Sequence, residues 1–187
     1  MSEKLVIAVT GMPGSGKSVI MNVALQSDYE AIVMGDEVRE EARRRNLQPT
    51  PESIGEIMLE LRRIEGEAVI AKRCVLKIEK TARQKIVVDG IRSLNEVEEF
   101  KKHFKTFTLI AIHSSPETRF KRLNNRQRSD DPQNWQIFRE RDLRELSVGL
   151  GNAIAMAEYM VVNEGDINSV KEHARAVLKR VEAKWTK

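Results

Sequence analysis

The stretch Gly11-Met12-Pro13-Gly14-Ser15-Gly16-Lys17-Ser18 decides the fold of this chain of 187 residues. It fits G-x-x-x-x-G-K-[ST], the pattern of a phosphate-binding loop. A triphosphate must be wrapped by successive backbone N–H groups, and glycine lets the chain bend tightly around it. In this pattern Lys17 places its charge on the β- and γ-phosphates, and the Ser18 hydroxyl reaches Mg²⁺. The stretch therefore predicts a site for ATP and Mg²⁺.

The residues on either side of this loop predict its structural context. Leu5-Val6-Ile7-Ala8-Val9 is an apolar run typical of a buried strand, and the residues from Ser18 through Leu25 are typical of a helix. That helix directs the positive end of its dipole at the phosphates. Further short apolar runs alternate with helical patterns along the rest of the chain. This alternation predicts an α/β protein with a five-stranded parallel sheet flanked by helices.

The predicted elements divide one domain into three parts, which are a core, a helical stretch at 36–82 and a basic segment at 119–148. The core comprises residues 1–35, 83–118 and 149–187, and residues 36–82 form a helical stretch too long for a plain crossover. We interpret 36–82 as an inserted acceptor-binding subdomain. Thr50-Pro51 is expected to start a helix there, with Thr50 as the N-cap and the proline in the first turn. Gly66 is expected to break or bend this stretch, and Asp131-Pro132 is expected to start a later helix in the way that Thr50-Pro51 does.

Composition excludes several classes of protein. No apolar run approaches the roughly 18 residues of a membrane span, and the chain passes directly from Met1 into a strand pattern without a signal peptide. The single cysteine, Cys74, allows no internal disulfide and is expected to be buried and unreactive. Three scattered histidines lack metal-ligand spacing. We expect a cytoplasmic protein without a protein-held zinc ion.

Positive charge is concentrated in one segment. The net charge is +4, and residues 119–144 hold eight Lys or Arg against four Asp or Glu. This local surplus favours capture of an anion at a site over binding of a nucleic acid along a broad face. We predict a lid at 119–148, in which Arg126 and Arg128 flank a polar turn and contact the transferred phosphate. The alternative is a permanently docked helix pair whose arginines are paired with its own acids.

Two acidic residues stand where predicted strands end. Asp89 closes an apolar strand, Lys85-Ile86-Val87-Val88-Asp89, which is the place for a carboxylate that orients Mg²⁺. Asp36 follows the apolar run 31–34 and is expected to cap the next helix. Ser93-x-x-Glu96 predicts a capping box for the helix after Asp89. Asp36 therefore has a purely structural alternative, whereas a buried acid such as Asp89 needs a partner.

Beyond the loop, the chain resembles nucleotide kinases of the adenylate kinase type, and especially an uncharacterised archaeal family related to dephospho-coenzyme A kinase. Gly35-Asp36-x-x-Arg39 is similar to the segment whose arginine holds the acceptor phosphate, and Asp89-Gly90-Ile91-Arg92 is similar to the D-G-F-P-R segment of adenylate kinase. The stretch Ala157–Gly165 resembles the end of dephospho-coenzyme A kinases, which implies that Asn163 contacts the adenine. Glu96 stands where adenylate kinase has its AMP-selecting glutamine.

The resemblance implies transfer of the ATP γ-phosphate to a nucleotide-like small molecule. The localised positive charge argues against nucleic acid as a partner, and the lack of a long apolar run argues against a membrane. Two chemistries remain open. A phosphate acceptor needs an arginine clamp, which Arg39 and Arg92 could supply, whereas a hydroxyl acceptor would profit from Asp36 as a general base. A third interpretation is a nucleotide-dependent regulator or RNA-associated ATPase with no small-molecule acceptor. The oligomeric state does not follow from the sequence.

Overall fold

A computed structural model describes residues 2–48, 50–126 and 131–186. Helices and strands alternate along these residues, and they are named here in chain order. The elements are β1 (Ser2–Thr10), α1 (Lys17–Leu25), β2 (Glu30–Val33), α2 (Met34–Arg44), α3 (Pro51–Glu65), α4 (Val69–Lys80), β3 (Lys85–Asp89), α5 (Leu94–His103), β4 (Phe104–His113), α6 (Pro116–Arg126), α7 (Trp135–Ser147), α8 (Leu150–Ala155), β5 (Tyr159–Val162) and α9 (Ile167–Trp185).

The sheet has the predicted all-parallel form. Across the described chain it contains five strands in the order β2-β3-β1-β4-β5, so β1 lies at the centre. Val9 of β1 pairs in register with Asp89 of β3, and Thr10 pairs with Ala111 of β4. The carboxyl end of β1, from which the phosphate-binding loop emerges, therefore lies beside the carboxyl ends of both neighbours. This is the edge at which an open α/β sheet binds its ligands.

Side chains of β1 alternate between two hydrophobic clusters. Leu5, Ile7 and Val9 pack with α1 and α9 on one face, whereas Val6 and Ala8 pack with the helices between β2 and β4 on the other. All five side chains are fully buried, as the apolar run predicted. Burial on both faces fixes the strand between two helical layers, because each face loses apolar contact if the register slips.

Helices α2, α3 and α4 occupy the predicted long helical stretch. Gly66 separates α3 from α4, and Thr50 caps α3 by accepting a hydrogen bond from the Ser53 amide, so both of these predictions are confirmed. Buried residues of all three helices belong to the same hydrophobic cluster as Val6 and Ala8 of the sheet. These three helices therefore share a core with the sheet.

Two predicted helix starts are wrong. Helix α2 begins at Met34 directly after β2, with Val33 as its N-cap, so Asp36 lies inside the first turn and caps nothing. Helix α7 begins at Trp135, where the Asn134 side chain accepts a hydrogen bond from the Ile137 amide and takes the place predicted for Asp131. In each case the acid pairs with an arginine, Asp36 with Arg39 and Asp131 with Arg126.

None of the helices in the described ranges combines the length and the apolarity needed to cross a membrane.

Candidate active site

Glycine conformations shape the phosphate-binding loop between β1 and α1. Gly14 and Gly16 have φ angles of 81° and 96°, in the left-handed region that L side chains rarely adopt. A Cβ at Gly14 would lie 2.8 Å from the Arg119 carbonyl oxygen, and one at Gly16 would collide with the Asn163 amide nitrogen. The loop therefore requires glycine at both positions for conformation and for space.

Lys17 begins α1 and lies over its own loop. Its Nζ donates a hydrogen bond to the Gly11 carbonyl oxygen at 2.9 Å. Burial lowers the pKa of Lys17, and the negative charge of Asp89 opposes this shift. The charges of Arg92, Glu145 and Arg141 also act on the Lys17 pKa. Lys17 is thus placed where the loop, the end of β3 and helix α7 meet.

Asp89 is the acid best placed to orient a metal ion. Its Oδ1 is buried and has no hydrogen-bond partner in the described structure. Burial raises the pKa of Asp89, while the positive charges of Lys17, Arg92 and Arg39 lower it. The exposed Ser18 follows Lys17 in the first turn of α1. An unpartnered carboxylate oxygen near a loop that holds phosphates suits Mg²⁺, which commonly takes one or two carboxylates besides phosphate oxygens and water.

The described residues contain no cluster of three or more His, Cys, Asp or Glu side chains that could hold a metal ion without substrate. The donor set of Ser18 and Asp89 fits an ion that arrives with the nucleotide and keeps much of its shell from phosphate and water. These residues would orient such an ion, which would neutralise charge on the phosphates.

A buried network supports the phosphate-binding loop from below. Asn163 Nδ2 donates to the Ser15 carbonyl oxygen at 2.8 Å, and Ser114 Oγ donates to the same oxygen at 3.2 Å. Arg122 donates to Ser114 Oγ at 2.8 Å and to Asn163 Oδ1 at 3.1 Å. Asn163 is only 3% exposed. Nδ2 of Asn163 therefore holds the loop while Oδ1 is held by Arg122, and the expected contact of Asn163 with adenine stays a prediction.

The predicted lid arginines have unequal surroundings. Arg119 is buried and ion-paired with Asp142. Arg126 pairs with Asp131 through two hydrogen bonds of 3.0 and 2.5 Å. Arg128 lies outside the described residues. These pairings match the alternative of a docked helix pair at Arg119 and Arg126, and the lid movement and the phosphate contacts of both predicted arginines stay predictions.

A cavity of about 490 Å³ lies between helices α2, α3 and α4 on one side and α7 on the other. Its walls come from α2, α3, α4, the segment after β3, the start of α5, and α7. The polar side chains that line it are all charged: five arginines and three glutamates. They are Arg39, Arg62, Arg92, Arg141, Arg144, Glu56, Glu96 and Glu145. The apolar part of its wall consists of Met34, Val38, Ile54, Met58, Leu59, Ile70 and Val148.

Ion pairs hold the cavity wall in place. Arg62 of α3 donates to Glu96 Oε1 at 2.6 Å, and the other oxygen of Glu96 accepts the Arg92 backbone N–H at 2.7 Å. Glu96 is fully buried and Arg62 is 6% exposed. Removing one partner of such a pair costs about 3–5 kcal/mol. Arg92 Nη1 also lies 3.2 Å from Glu145 Oε2, which connects the segment after β3 to α7.

Glu96 forms only part of the capping box that the sequence predicted. The Glu96 amide donates to Ser93 Oγ at 3.3 Å, as a capping box requires. The reciprocal bond is different, because the Glu96 carboxylate accepts from Arg92 N rather than from the Ser93 backbone. A glutamate three residues after a serine signalled the helix start but carried no sign of its ion pair with Arg62.

Asp36 and Arg39 lie together at the start of α2 but differ in their relation to the cavity. Arg39 lines the cavity, while Asp36 is not among the lining residues. The Asp36 side chain is 55% exposed, and its Oδ1 accepts two hydrogen bonds from Arg39, at 3.0 and 2.5 Å. Of the predicted acceptor residues, the structure brings Arg39 and Arg92 to one cavity.

Sequence reasoning missed several cavity residues. Arg62, Glu145, Arg141, Arg144 and Met58 line the cavity without any motif to mark them. Arg141 and Arg144 belonged to the predicted basic segment, but their role as cavity lining could not be separated from that of other helix-surface arginines. The i, i+3 spacing of Arg141 and Arg144 on a helix was the one available signal.

Comparisons with known proteins agree with this geometry. The AAA domain family matches residues 10–139. A UPF0200 protein of Hyperthermus butylicus is 47% identical over 180 residues and is covered to 96%, as is this chain. A UPF0200 protein of Methanocaldococcus jannaschii is 49% identical over 162 residues, covering 86% of this chain and 82% of that protein.

Solved structures of P-loop kinases share the fold. A gluconokinase from Sinorhizobium meliloti superposes with a TM-score of 0.59 at 17% identity, covering 97% of this chain and 95% of that one. Shikimate kinase from Acinetobacter baumannii gives the same TM-score at 15% identity, with coverages of 98% and 96%. At such identities the likeness concerns the fold alone. The fold is that of P-loop kinases, and the chain belongs to the UPF0200 protein family, with an AAA domain at residues 10–139.

Proposed function

We propose that this protein transfers the γ-phosphate of ATP to a nucleotide-like small molecule that presents a phosphate group. The observation that carries the proposal is the position of the arginine-lined cavity beside the phosphate-binding loop. Gly90 and Arg92 line the cavity directly after Asp89, and Asp89 pairs in register with Val9 near the end of β1, where the loop begins. A donor on the loop and an acceptor in the cavity would therefore meet near Lys17 and Asp89.

The charge of the cavity favours a phosphate acceptor. Five arginines against three glutamates leave a formal surplus of two positive charges on its wall. A phosphomonoester carries about −1.5 to −2 charges at neutral pH, which matches that surplus. Its oxygen is already ionised and needs no general base. It would attack the γ-phosphorus while the bond to the β,γ-bridging oxygen breaks and ADP leaves.

The uncharged part of the cavity wall favours an acceptor that is not a polyol. Among the described cavity residues no hydroxyl or amide side chain is present. The charged side chains can bind hydroxyl groups, but several of them already pair with each other, as Arg92 does with Glu145, and hydroxyls left without partners would cost free energy. Aliphatic and thioether side chains such as Val38, Met58 and Leu59 pack instead against an apolar or flat surface, such as a nucleobase. Gluconate and shikimate, which give two structural neighbours their names, are therefore not the acceptors that we propose.

In this proposal the loop residues from Gly11 through Ser18 bind the donor. Lys17 neutralises charge on the transferred group, Ser18 and Asp89 orient Mg²⁺, and Arg39 and Arg92 clamp the acceptor phosphate. The relation to dephospho-coenzyme A kinase belongs here as the alternative, with a hydroxyl acceptor and Asp36 as base. Asp36 bound to Arg39 outside the cavity lining supports the phosphate acceptor instead.

The test measures whether ADP forms from ATP, in the presence of Mg²⁺, only when an acceptor is added. Purified protein is offered nucleoside monophosphates, nucleosides, dephospho-coenzyme A, gluconate and shikimate in separate reactions. ADP release that requires a phosphomonoester supports the proposal, and release with nucleosides or dephospho-coenzyme A supports the hydroxyl alternative. ADP release without any acceptor, together with salt-dependent retention on RNA, would instead indicate the RNA-associated ATPase.

A further inference from the structure

Two acidic residues of α7 form ion pairs with arginines, one beside the phosphate-binding loop and one in the wall of the acceptor cavity. Asp142 pairs with Arg119, which contacts the phosphate-binding loop, and Glu145 pairs with Arg92, which lines the acceptor cavity. The two acids are three residues apart, so they lie on the same face of the helix. Helix α7 thus joins regions that are distant in the sequence.

Arg119 uses four of the five N–H groups of its guanidinium. Its Nη1 and Nη2 donate to the two carboxylate oxygens of Asp142 at 2.8 and 2.5 Å. Nη1 also donates to the Pro13 carbonyl oxygen at 3.1 Å, and Nε donates to the Ser114 carbonyl oxygen at 3.2 Å. The guanidinium carbon lies 4.9 Å from the centroid of the Phe138 ring. One buried side chain therefore connects the loop to α7.

The loop has little freedom to move apart from Arg119. Arg119 is 3% exposed, and the space beside Gly14 is filled by its backbone and Cβ. Close-packed contacts of this kind transmit displacement, since the interior has low compressibility. A shift of α7 that carried Asp142 would be passed through Arg119 to Pro13.

Three residues around Asp142 on α7 belong to the wall of the acceptor cavity. Arg141 and Arg144 line it directly, and Glu145 lies against Arg92. An anion in the cavity attracts these arginines and alters the balance of the Arg92–Glu145 pair. Such a change acts on the helix that carries Asp142.

We propose that Arg119 and Asp142 are positioning residues that couple the phosphate-binding loop to the acceptor-cavity wall through α7. The inference rests on the proposed function, because it requires a nucleotide on the loop. Coupling between two sites is reciprocal, so a nucleotide that binds to the loop changes α7 as an acceptor would change the loop. A purely structural pair would stabilise the fold but would not transmit nucleotide binding to α7.

The experiment uses Mg²⁺ with a non-hydrolysable ATP analogue and follows amide hydrogen exchange. In the wild-type protein we expect the analogue to slow exchange in residues 11–25 and, by about fivefold or more, across 135–147. Arg119→Lys keeps the charge but lacks the planar fork that binds Asp142 and Pro13 together. We expect this variant to retain the response in 11–25 and to lose it across 135–147.

Arg73→Lys is the matched control. Arg73 also bridges two carboxylates, those of Glu41 and Glu65 at 3.0 and 2.8 Å, but it lies on α4 and does not line the cavity. This variant should respond like the wild type in both segments. Asp142→Asn breaks the coupling from the other end and should behave like Arg119→Lys where its melting curve shows a folded protein.

Each outcome separates the coupling from the nucleotide site. A response across 135–147 that persists undiminished in Arg119→Lys would overturn the coupling and leave the proposed function intact. The same holds if the wild type responds in 11–25 alone. Absence of any response in 11–25 of the wild type would overturn the nucleotide site, and the coupling with it.

Discussion

The phosphate-binding loop and the proposed acceptor cavity are held in shape by different kinds of contact. Eight consecutive residues, Gly11 through Ser18, form the loop, and glycine conformations and backbone carbonyl contacts fix its shape. The cavity draws its wall from helices and loops spread between Met34 and Val148, held by ion pairs such as Arg62–Glu96. Backbone N–H groups bind any triphosphate in the same way, whereas side chains at a cavity can differ from one acceptor to another. The loop therefore predicts that a nucleotide binds, and in the proposed reaction the cavity would select the acceptor.

The largest effect is expected from Lys17→Ala in the donor loop. Loss of one preorganised charge contact typically lowers kcat by ~10²–10³. The melting temperature should not fall, because burial lowers the pKa of Lys17 and the charge costs free energy in the folded state. Steady-state ADP formation and a thermal melt measure both quantities.

Lys72→Ala, at an exposed position of α4, is the matched control and should retain wild-type turnover. Unchanged turnover in Lys17→Ala with an unchanged melt would show that the loop binds no reacting phosphate.

The acceptor side is tested by Arg39→Ala beside Asp36→Asn. Loss of a charge-assisted hydrogen bond to an acceptor phosphate should raise the acceptor KM roughly 10- to 100-fold. Asp36→Asn should change kcat little, because a phosphate acceptor needs no base. Arg44→Ala, which removes an exposed arginine paired with Glu40 on the same helix, should leave KM unchanged.

The opposite pattern would favour the hydroxyl acceptor. In that case Asp36→Asn lowers kcat by roughly 10²–10⁴ with little change in KM. Wild-type kinetics in both variants would mean that residues 36–39 serve only as the start of α2.

The contrast between loop and cavity also explains what the sequence could predict. The strand, the loop and α1 follow each other without interruption, so one pattern carried both the local structure and its chemistry. The cavity forms only when α2, α3 and α7 come together, and no local pattern encodes that meeting. Asp36 illustrates the limit: it was expected as the N-cap of α2, but the N-cap is Val33, three residues earlier, because β2 passes directly into α2. Arg119 illustrates it again, since an arginine on a polar helix gave no sign of its burial against Pro13.

A smaller effect is expected from Gly16→Ala, which tests whether the backbone shape of the loop matters beyond its charges. The φ angle of 96° costs an L-residue about 1–2 kcal/mol, and the added Cβ would collide with Asn163. We expect the affinity for Mg²⁺ with a non-hydrolysable ATP analogue to fall roughly 5- to 30-fold. Gly165→Ala is the control, because nothing lies within 4 Å of its added Cβ. Equal affinities in the two variants, measured by titration calorimetry, would contradict a loop shape set by glycine.

The smallest effect on activity is expected at Cys74. This residue tests whether helices α2, α3 and α4, which we call the acceptor helices, stay packed on the sheet. Cys74 lies on α4 and is fully buried, and burial raises the pKa of its thiol to about 12. The raised pKa keeps the thiol neutral, so its stabilising contribution is complete below the ordinary value and is lost as the pH rises through about 12.

Near pH ~8 an aromatic disulfide reagent should react slowly with the native protein, and rapidly after unfolding in guanidinium, because only the thiolate attacks. The rate in the native protein then reports how often α4 separates from the sheet. Cys74→Ala should leave both KM values unchanged while lowering the free energy of unfolding by about 1 kcal/mol. Reaction of the native thiol at the rate of the unfolded chain would show that the acceptor helices open freely, and the cavity would then be formed by its ligand rather than before it.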